Sequence, residues 1–403
     1  MNAGWKTATV GESIVPVSVT GRAKIQTKDY KNAGAYPIVD QGQAPIAGWT
    51  DSLDAVIEAP LPLIVFGDHS RTFKYLDRPF ARGADGTQLL RPVGEIDPLF
   101  FFYACRAIDL PARGYNRHFT VLKEKDFSYP ADAAVQRSIA ALLSRVERAL
   151  VLQDELVALL EQAKAAAMNQ LFSRGLRSEA QKDSEVGAIP AGWELATIDQ
   201  HFSVVSGGTP SRGNDSYWAG GTIPWVKTTE VKYSVITETD EHITQAGLDG
   251  SAAKMLRPGT LLMAMYGQGV TRGKVGILGI EASCNQACAA MTPTDGDVLP
   301  QYLYHFLTSR YEAIRSLAHG GQQQNLNLDI VRKIDVPVPS TTDEQREIVD
   351  VLDALDRKID LHRRKGKVLD QLFESLLHKL MTGEVSVADL GLSALPKLEG
   401  SAA

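Results

Sequence analysis

The chain has 403 residues, of which 44% are hydrophobic and 22% are charged. These values are typical of a globular protein, and the length predicts two to four domains at about 100 to 200 residues each. The net charge of −6 excludes a chain that grips nucleic acid through a large excess of positive charge, because DNA phosphates attract Lys and Arg. Any DNA binding is therefore expected to depend on partner proteins for phosphate contacts.

Neither a membrane span nor a secretory signal is expected. The richest apolar runs, 61–66 and 99–105, are far shorter than the roughly 18 residues that cross a bilayer. The first residues lack the basic and apolar segments of a secretory signal, which predicts a cytoplasmic protein. Three cysteines offer no disulfide framework. Cys284 and Cys288 have no second Cys or His pair at ligand spacing, which favours buried thiols over a metal site.

The chain contains an internal repeat. Segment 4–10 recurs at 192–198, with Gly and Trp at its first two positions and an offset of 188. The Gln-Arg pair at 136–137 recurs at 345–346, with an offset of 209. The order in each half is a mixed segment followed by a long helix, as in a duplicated sequence. Trp5 and Trp193 are expected to anchor the two domain cores.

Two long amphipathic helices are the clearest elements in the pattern. From 133 to 172 and from 343 to 381, apolar residues recur three or four positions apart. About 39 residues make a rod of roughly 58 Å, which favours an antiparallel coiled coil within one chain. Two separate helices, each packed on its own domain, are the alternative. The residues predicted to pair the helices are Ile139, Leu142, Val146, Leu150, Ile348, Leu352, Leu355 and Ile359.

The remaining segments contain short β-branched and aromatic runs, broken by Gly and Pro turns. The predicted fold class is α/β (α+β): two mixed α/β domains separated by two long antiparallel coiled-coil helices, with an internal pseudo-two-fold repeat. The predicted boundaries are 1–130 for the first domain, 131–176 for the first helix, 177–190 for a linker, 191–340 for the second domain, 341–383 for the second helix and 384–403 for a C-terminal tail.

No catalytic motif occurs in the sequence. It lacks the Gly-x-x-x-x-Gly-Lys-Ser/Thr phosphate loop, the dinucleotide fingerprint, His-Glu-x-x-His and the Gly-x-Ser-x-Gly elbow. It also lacks the Asn/Asp-Pro-Pro-Tyr/Phe tetrapeptide of adenine methyltransferases. Asp68 and His69 have no nucleophile beside them, which favours a polar loop pair over an acid/base pair. We therefore predict a non-catalytic chain.

A series of motifs in the second half indicates a family. Ser206-Gly207-Gly208-Thr209-Pro210-Ser211 opens the series, Ile223-Pro224-Trp225-Val226 and Asn285-Gln286-Ala287-Cys288 continue it, and Val336-Pro337-Val338-Pro339 closes it. This half resembles a target-recognition domain of Type I restriction-modification specificity subunits. The first half resembles a variant of that domain through Tyr36-Pro37-Ile38-Val39 and Phe66-Gly67-Asp68-His69. It departs from the pattern because it lacks the Gly-Gly-Thr-Pro opening.

The resemblance implies a subunit that reads an asymmetric bipartite DNA target, with one recognition domain on each half-site and the helices as a spacer. It implies double-stranded DNA, two methyltransferase (modification) subunits and two restriction/translocase subunits as partners, and no membrane. It places S-adenosylmethionine and N6-adenine methylation on the modification partner, and ATP and Mg on the restriction partner. No cofactor and no metal are expected on this chain.

Polar loops in the two domains supply the candidate DNA-contacting residues. Arg, Lys, Gln and Asn can bond base edges, while Ser, Thr and Tyr position phosphates. The candidates of the first domain are Gln41, Gln43, His69, Arg71, Lys74 and Arg117. Those of the second domain are Lys227, Thr228, Tyr266, Gln268, Thr271, Arg272, Lys274, Gln322, Gln323 and Asn325.

Two other functions fit the same sequence. One is the recognition subunit of a modification-only or related system, which would lack a restriction partner. The other is a coiled-coil scaffold with no DNA role, which the low net charge favours and the two different sets of polar loops disfavour. Neighbouring genes for a methyltransferase and a helicase-nuclease would distinguish among the three functions.

Overall fold

The computed structural model describes residues 4–83, 86–111, 118–267, 270–318 and 325–390. The chain divides into two compact units, which we call the first unit (residues 1–154 and 364–403) and the second unit (residues 155–363). The division falls inside both long helices, so each unit contains one half of each helix. No helix in the described ranges is both long and apolar enough to cross a membrane.

The chain up to the end of the first long helix forms the following elements: β1 (Trp5–Thr9), β2 (Ile14–Val15), β3 (Tyr36–Val39), β4 (Gly48–Thr50), β5 (Val56–Ile57), β6 (Leu63–Gly67), β7 (Phe73–Leu76), β8 (Phe80–Arg82), β9 (Thr87–Pro92), α1 (Pro98–Ala107), α2 (Phe119–Lys123), β10 (Asp126–Pro130) and α3 (Ala133–Arg174). Short 3-10 helices lie at Thr27–Asp29 and Leu53–Ala55.

The rest of the chain forms β11 (Gln181–Lys182), β12 (Ile189–Pro190), β13 (Glu194–Thr197), α4 (Ile198–His201), β14 (Phe202–Ser206), β15 (Ile223–Val226), β16 (Val235–Ile236), β17 (Glu241–Ile243), α5 (Gln245–Asp249), β18 (Leu261–Ala264), β19 (Val275–Leu278), β20 (Ser283–Cys284), β21 (Cys288–Pro293), α6 (Pro300–Ser309), α7 (Tyr311–Ser316), α8 (Leu328–Arg332), β22 (Asp335–Val338) and α9 (Thr342–Met381). Its 3-10 helices lie at Asp215–Tyr217, Thr228–Glu230 and Ala388–Leu390. Strands β11 and β12 pair within the segment predicted as a linker.

Each unit has a principal sheet, and the two sheets share the order of four strands. The sheet of the first unit runs β2-β9-β6-β7, and that of the second runs β14-β21-β18-β19-β16. A smaller sheet accompanies each one, β4-β3-β8-β5 in the first unit and β17-β15-β20 in the second. All five residues of β6 and all four of β18 and β19 are buried, which explains their continuous apolar sequences.

The predicted repeat is visible in the strand pairing. β1 pairs with β10 and β13 pairs with β22, both antiparallel. Lys6 lies opposite Tyr129, and Glu194 lies opposite Val338, so the two pairs match at the offsets of 188 and 209. Trp193 is almost completely buried in the second core, and Trp5 packs partly buried against the first.

Both long helices form as predicted; α3 ends just before Gly175, and α9 ends two residues before Gly383. Gly175 and Gly383 have φ of 65° and 69°, the left-handed conformation that terminates helices at low cost for glycine. The helices run antiparallel within the second unit, where Glu161 pairs with Arg363 while Lys164 pairs with Asp356.

The pairing residues divide between two cores. Ile139 and Leu142 of α3 share the first core with Phe373 and Leu377 of α9. Ile348 and Leu352 of α9 lie in the second core together with Met168, Leu171 and Phe172 of α3. Each half-helix packs on its own domain and on the other helix, so the coiled coil and the separate-helix alternative each describe part of the packing. Val146 and Leu150 are partly buried against the first core, while in the second unit Ile359 is buried and Leu355 half-buried.

One glutamine in each unit joins a long helix to its domain. The side chain of Gln136 donates to the carbonyl oxygens of Glu95 and Pro130 and accepts from the Asp97 N–H at 2.7 Å. Gln345 donates to the Asp297 carbonyl at 2.7 Å and accepts from the Leu299 N–H at 2.9 Å. Both side chains are fully buried. We call this pair the junction glutamines.

Replacing Gln345 with Leu should destabilise the second unit. A leucine of similar size leaves the Leu299 N–H without its partner, and an unpaired buried polar group costs about 1 to 3 kcal/mol. Hydrogen exchange of the α6 and α9 amides should report faster local opening than in wild type. Gln162→Leu, at an exposed position of α3, is the matched control and should leave exchange unchanged. Equal hydrogen-exchange rates in the two variants would contradict a stabilising role for the Gln345 side-chain amide.

Candidate nucleic-acid interface

Two glycines bring the loop after β14 against the rest of the second domain. The Gly208 N–H donates to the Cys284 carbonyl at 2.9 Å. A Cβ on Gly207 would lie 2.2 Å from that carbonyl oxygen, and one on Gly208 would lie 2.2 Å from the Ala253 nitrogen. Because no side chain fits at either place, the Gly-Gly pair allows Thr209 to approach Gln286, with which its hydroxyl forms a hydrogen bond.

Other polar loops meet at the same end of the principal sheet. The Met265 N–H donates to the Ala287 carbonyl at 2.8 Å, and the Leu326 N–H donates to the Met265 carbonyl at 3.1 Å. Tyr266 and Asn325 therefore lie on adjacent segments beside the loop that carries Gln286. Tyr266 and Asn325 are exposed. The structure thus brings together two candidate loops that are about 60 residues apart in sequence, and we call this surface the second loop cluster.

Lys227 and Thr228 follow β15 next to this cluster, since the Asn285 N–H donates to the Val226 carbonyl at 3.0 Å. The Lys227 ammonium lies 3.1 Å from Glu241 and 3.2 Å from Asp240. Hydrogen bonds to these carboxylates raise the pKa of Lys227. Both acidic partners belong to this domain, so part of its positive charge is neutralised internally.

Glu241 also binds Arg212, and the hydrogen bond from Arg212 is the main cause that lowers the pKa of Glu241. The Arg212 guanidinium lies 3.7 Å from the centre of the Trp218 ring and 4.9 Å from that of Trp225. This stacked arginine fixes the segment after the Gly-Gly pair.

Three further candidates of the second domain, Thr271, Arg272 and Lys274, lie on the hairpin between β18 and β19. The turn closes through a hydrogen bond from the Lys274 N–H to the Thr271 carbonyl, and the Lys274 ammonium lies 5.7 Å from the centre of the Tyr233 ring. Thr271 and Arg272 are half-buried in this turn. Gln268, Gln322 and Gln323, together with Arg117 of the first domain, lie outside the described residues and stay predictions.

In the first domain, the loop 40–43 meets the hairpin between β6 and β7. Gln41 accepts from the His69 N–H at 3.4 Å, and its carbonyl accepts from the Thr72 hydroxyl at 3.2 Å. Asp68 is buried and accepts from the Phe119 N–H at 2.7 Å, so it caps α2, as a polar loop residue would. Gln41, Gln43 and His69 are brought to one surface, which we call the first loop cluster.

Two candidates of the first domain have structural contacts. Lys74 is buried, and its ammonium donates to the Asp40 carbonyl at 2.8 Å. Burial lowers the pKa of Lys74, partly offset by the nearby Asp40 carboxylate. Arg71 adopts a positive φ of 62° and donates to the Leu110 carbonyl at 2.6 Å. These contacts hold loop 40–43 and the hairpin in place. Lys74 and Arg71 are therefore better suited to positioning the loops than to contacting bases directly.

Thr209, Arg212 and Gln286 adjoin the second loop cluster and are not among the residues predicted from the sequence to contact DNA. Thr209 and Gln286 lie in the motifs that carried the resemblance, so the motifs held the available signal. Arg212 has no motif of its own.

The domain and helices of the second unit meet at a partly buried charged cluster. His305 of α6 is fully buried, with Nε2 2.8 Å from Asp353 and Nδ1 4.0 Å from Asp356. These three residues could in principle ligate a metal, but the Lys164 ammonium lies 2.6 Å from both oxygens of Asp356 and takes the place of a cation. The cluster therefore serves as an ion-paired junction.

The hydrogen bond from His305 is the main cause that lowers the pKa of Asp353. The stability that Asp353 contributes is therefore present above the unfolded pKa of about 3.9 and is lost as the pH falls through the folded value. In the first unit the matching junction has Tyr103 and Arg106 bound to Glu147.

Comparison with known proteins agrees with this geometry. Residues 190–371 match the family model of the Type I restriction modification DNA specificity domain. The chain is 21% identical over 342 residues to the Type I restriction enzyme EcoR124I/EcoR124II specificity subunit of Escherichia coli, a match that covers 82% of each protein. It is 26% identical over 199 residues to the Type I restriction enzyme MjaIX specificity subunit of Methanocaldococcus jannaschii, covering 47% of this chain and 44% of that protein.

The fold is similar to solved structures along nearly its whole length. The crystal structure of a Type I restriction-modification system S subunit from M. genitalium superposes with a TM-score of 0.65 at 17% identity, covering 94% of this chain and 96% of that one. A chain from a structure of the type I R-M system superposes with a TM-score of 0.56, also at 17% identity, covering 95% and 99%.

The two mixed α/β domains and the long helices have the fold of these S-subunit structures, and recognition of DNA targets follows from the match to the DNA specificity domain. The chain is similar to the specificity subunits of Type I restriction-modification systems, and residues 190–371 carry the match to their DNA specificity domain. The resemblance and the fold class predicted from the sequence are therefore confirmed. The match to a DNA specificity domain also favours DNA recognition over the scaffold with no DNA role. Specificity subunits are generally non-catalytic.

Gly207→Ala should destabilise the second domain, because the new methyl group would lie 2.2 Å and 2.3 Å from the carbonyl oxygens of Cys284 and Asn285. Overpacking of this kind costs about 1 to 3 kcal/mol. The melting temperature should fall by several degrees. Gly213→Ala is the matched control, since no heavy atom lies within 4 Å of its Cβ position, and it should melt as wild type does. If both variants melted alike, the close approach would not constrain this loop.

Proposed function

We propose that each domain reads one half of an asymmetric bipartite DNA target. The observation that carries the proposal is that one scaffold bears two different loop clusters. The junction glutamines and the order of four strands in the principal sheets match between the units. The first loop cluster is built from loop 40–43 and one hairpin, whereas the second adds the Gly-Gly loop and Gln286. The two units share a scaffold, but their loop clusters differ. This combination suits a DNA target whose two halves differ in sequence.

The partners in this proposal are double-stranded DNA, two modification subunits and two restriction subunits. The duplicated scaffold supports two equivalent docking positions for the modification subunits. Exposed apolar side chains on the helices support protein docking there. In the first unit Leu152 and Val368 are 55% and 62% exposed, and in the second unit Leu159 and Leu361 are 61% and 58% exposed. A helical partner would remove these side chains from water.

We assign no catalytic step to this chain. S-adenosylmethionine and N6-adenine methylation would belong to the modification subunits, and ATP, Mg and DNA translocation to the restriction subunits. This chain would contribute base recognition, and its internally neutralised charges, such as Lys227 with Glu241, support a division in which the partners supply most phosphate contacts. The proposed compartment is the cytoplasm.

Substitution in one loop cluster should alter one half-site. We expect co-expression with the cognate modification subunit to produce one bipartite N6-methyladenine motif, read by methylome sequencing. Asn325→Ala should relax base preference in one half and Gln41→Ala in the other, by about 5- to 150-fold for a lost contact of about 1 to 3 kcal/mol.

Gln162→Ala, at an exposed position of α3, is the control and should leave the motif intact. Absence of any bipartite motif from the wild type would refute the proposed function. Equal relaxation of both halves by either variant would refute the assignment of one domain to each half.

Helix length should set the gap between half-sites. Four residues inserted after Asp154 in α3 and four after Arg363 in α9 would lengthen the helices by about 6 Å. The unspecified gap in the methylated motif should widen by about one to two base pairs, at 3.4 Å each. The same insertion after Gly21, in an exposed turn of the first domain, should change nothing. An unchanged gap in the helix variant would rule out the spacer role.

A further inference from the structure

The principal sheets of the two units differ at one edge. Four strands correspond in order, but the second unit has an additional strand, β16, beyond β19. β16 pairs with β19 in parallel. The Tyr233 N–H donates to the Val275 carbonyl at 2.9 Å, the Ile277 N–H to the Ser234 carbonyl at 3.2 Å, and the Gly279 N–H to the Ile236 carbonyl at 2.9 Å. The chain thus covers this edge with its own backbone.

The corresponding edge in the first unit is β7, the last strand of its sheet. β7 pairs with β6 with Phe73 opposite Phe66 and Tyr75 opposite Ile64. The hairpin closes through the Gly67 N–H to the Thr72 carbonyl. In an antiparallel pair, the N–H and C=O groups of successive residues point alternately toward and away from the neighbouring strand. The N–H and C=O groups of Thr72 and Lys74 therefore point toward β6, and those of Phe73 and Tyr75 point away from it. Within the described ranges, no backbone hydrogen bond reaches that outward side of β7.

A cleft of about 1200 Å³ lies beside this edge. One wall is β7 itself, and the opposite wall comes from α1 and α3, with Phe102, Arg106 and Glu147. Tyr75 lies against Phe102, with ring centres 5.8 Å apart, and burial is the main cause that raises its pKa to about 12. In the second unit, β16 together with Tyr233 occupies the side of β19 that matches this cleft.

The cleft has more positive than negative side chains. Its cations are Arg71, Lys74, Arg78 and Arg106, and its anions are Asp77 and Glu147. Lys74 and Arg106 are held by Asp40 and Glu147, whereas Arg78 is exposed at the end of β7. An uncovered strand edge binds other extended backbones readily, and most proteins protect such edges. The net positive lining favours an acidic strand over a basic one, and duplex DNA has no backbone that could pair with β7.

We propose that the outward edge of β7 binds an extended acidic segment of a partner protein, which adds to the sheet as a fifth strand parallel to β7. The backbone of Phe73 and Tyr75 would supply the hydrogen bonds, as Val275 and Ile277 do for β16. Arg78 would attract the acidic side chains, and apolar side chains at alternate positions would face α1. The pairing uses the backbone of Phe73 and Tyr75, which the proposed DNA reading does not use, although Gln43 of the first loop cluster also lines the cleft.

The test uses the purified full chain with its modification subunits and a fluorescent synthetic peptide of about ten residues that alternates Val and Glu. Fluorescence anisotropy should show binding, and hydrogen exchange should show protection of the Tyr75 amide. The same peptide with alternate backbone nitrogens methylated keeps its charge but cannot complete the strand, so it should bind at least tenfold more weakly.

Two variants of Tyr75 distinguish the contribution of its backbone N–H to peptide binding from that of its side chain. Tyr75→Pro removes the outward N–H, which an edge strand tolerates, and Tyr75→Val keeps it. Binding should fall at least tenfold in the Pro variant relative to the Val variant, and Arg78→Glu should weaken it at least threefold. All three variants should keep the wild-type methylated motif. Equal binding of the methylated peptide, equal binding by the Pro and Val variants, or displacement of the peptide by duplex DNA would each overturn the proposal. The wild-type protein with the methylated peptide decides the question if a variant fails to fold.

Discussion

The arrangement of this molecule depends on one requirement, that polar groups buried where a long helix meets its domain find partners. The junction glutamines meet that requirement in both units, because each amide both donates to and accepts from backbone groups just before the helix that packs on the sheet. An amide bound at both ends fixes direction as well as distance, which apolar packing alone does not. The start of α3 and the start of α9 are therefore held to their domains in the same way, and the repeat is preserved where it determines helix orientation.

Away from these amides the two units differ in their other helix contacts and in their loop clusters, and the loop clusters are the surfaces proposed to read DNA. The junction of α6 uses His305 with Asp353, whereas that of α1 uses Tyr103 with Glu147. The loop clusters share a location at one end of the principal sheet but no residue pattern. A duplicated scaffold with variable loops is an economical way to change a recognised sequence, because a loop can be replaced without disturbing the core beneath it.

Much of the fold was predictable, and the reasons are local. The period of the apolar residues predicts both long helices and their approximate length without tertiary information. The division of pairing residues between two cores was not predictable, because it depends on which domain each half-helix meets. The sequence placed Lys74 among the exposed loop residues. Its burial and the hydrogen bond from its ammonium to the Asp40 carbonyl depend on the tertiary fold. The meeting of Tyr266 with Asn325 likewise results from a contact between distant segments. β16 is two residues long and pairs in parallel, so no local pattern distinguishes it from a loop.

The way the chain divides has a consequence for how it is made. The second unit is one continuous stretch, 155–363, whereas the first unit needs residues from 364 onward to complete the core around Phe373 and Leu377. During synthesis the ribosome releases the N-terminal domain long before those side chains exist, leaving Ile139 and Leu143 without their covering helix. Domains usually fold in the order in which they are synthesised. Here the unit that is begun first is the one that finishes last, so its exposed helix face must wait for about half of the protein to be translated.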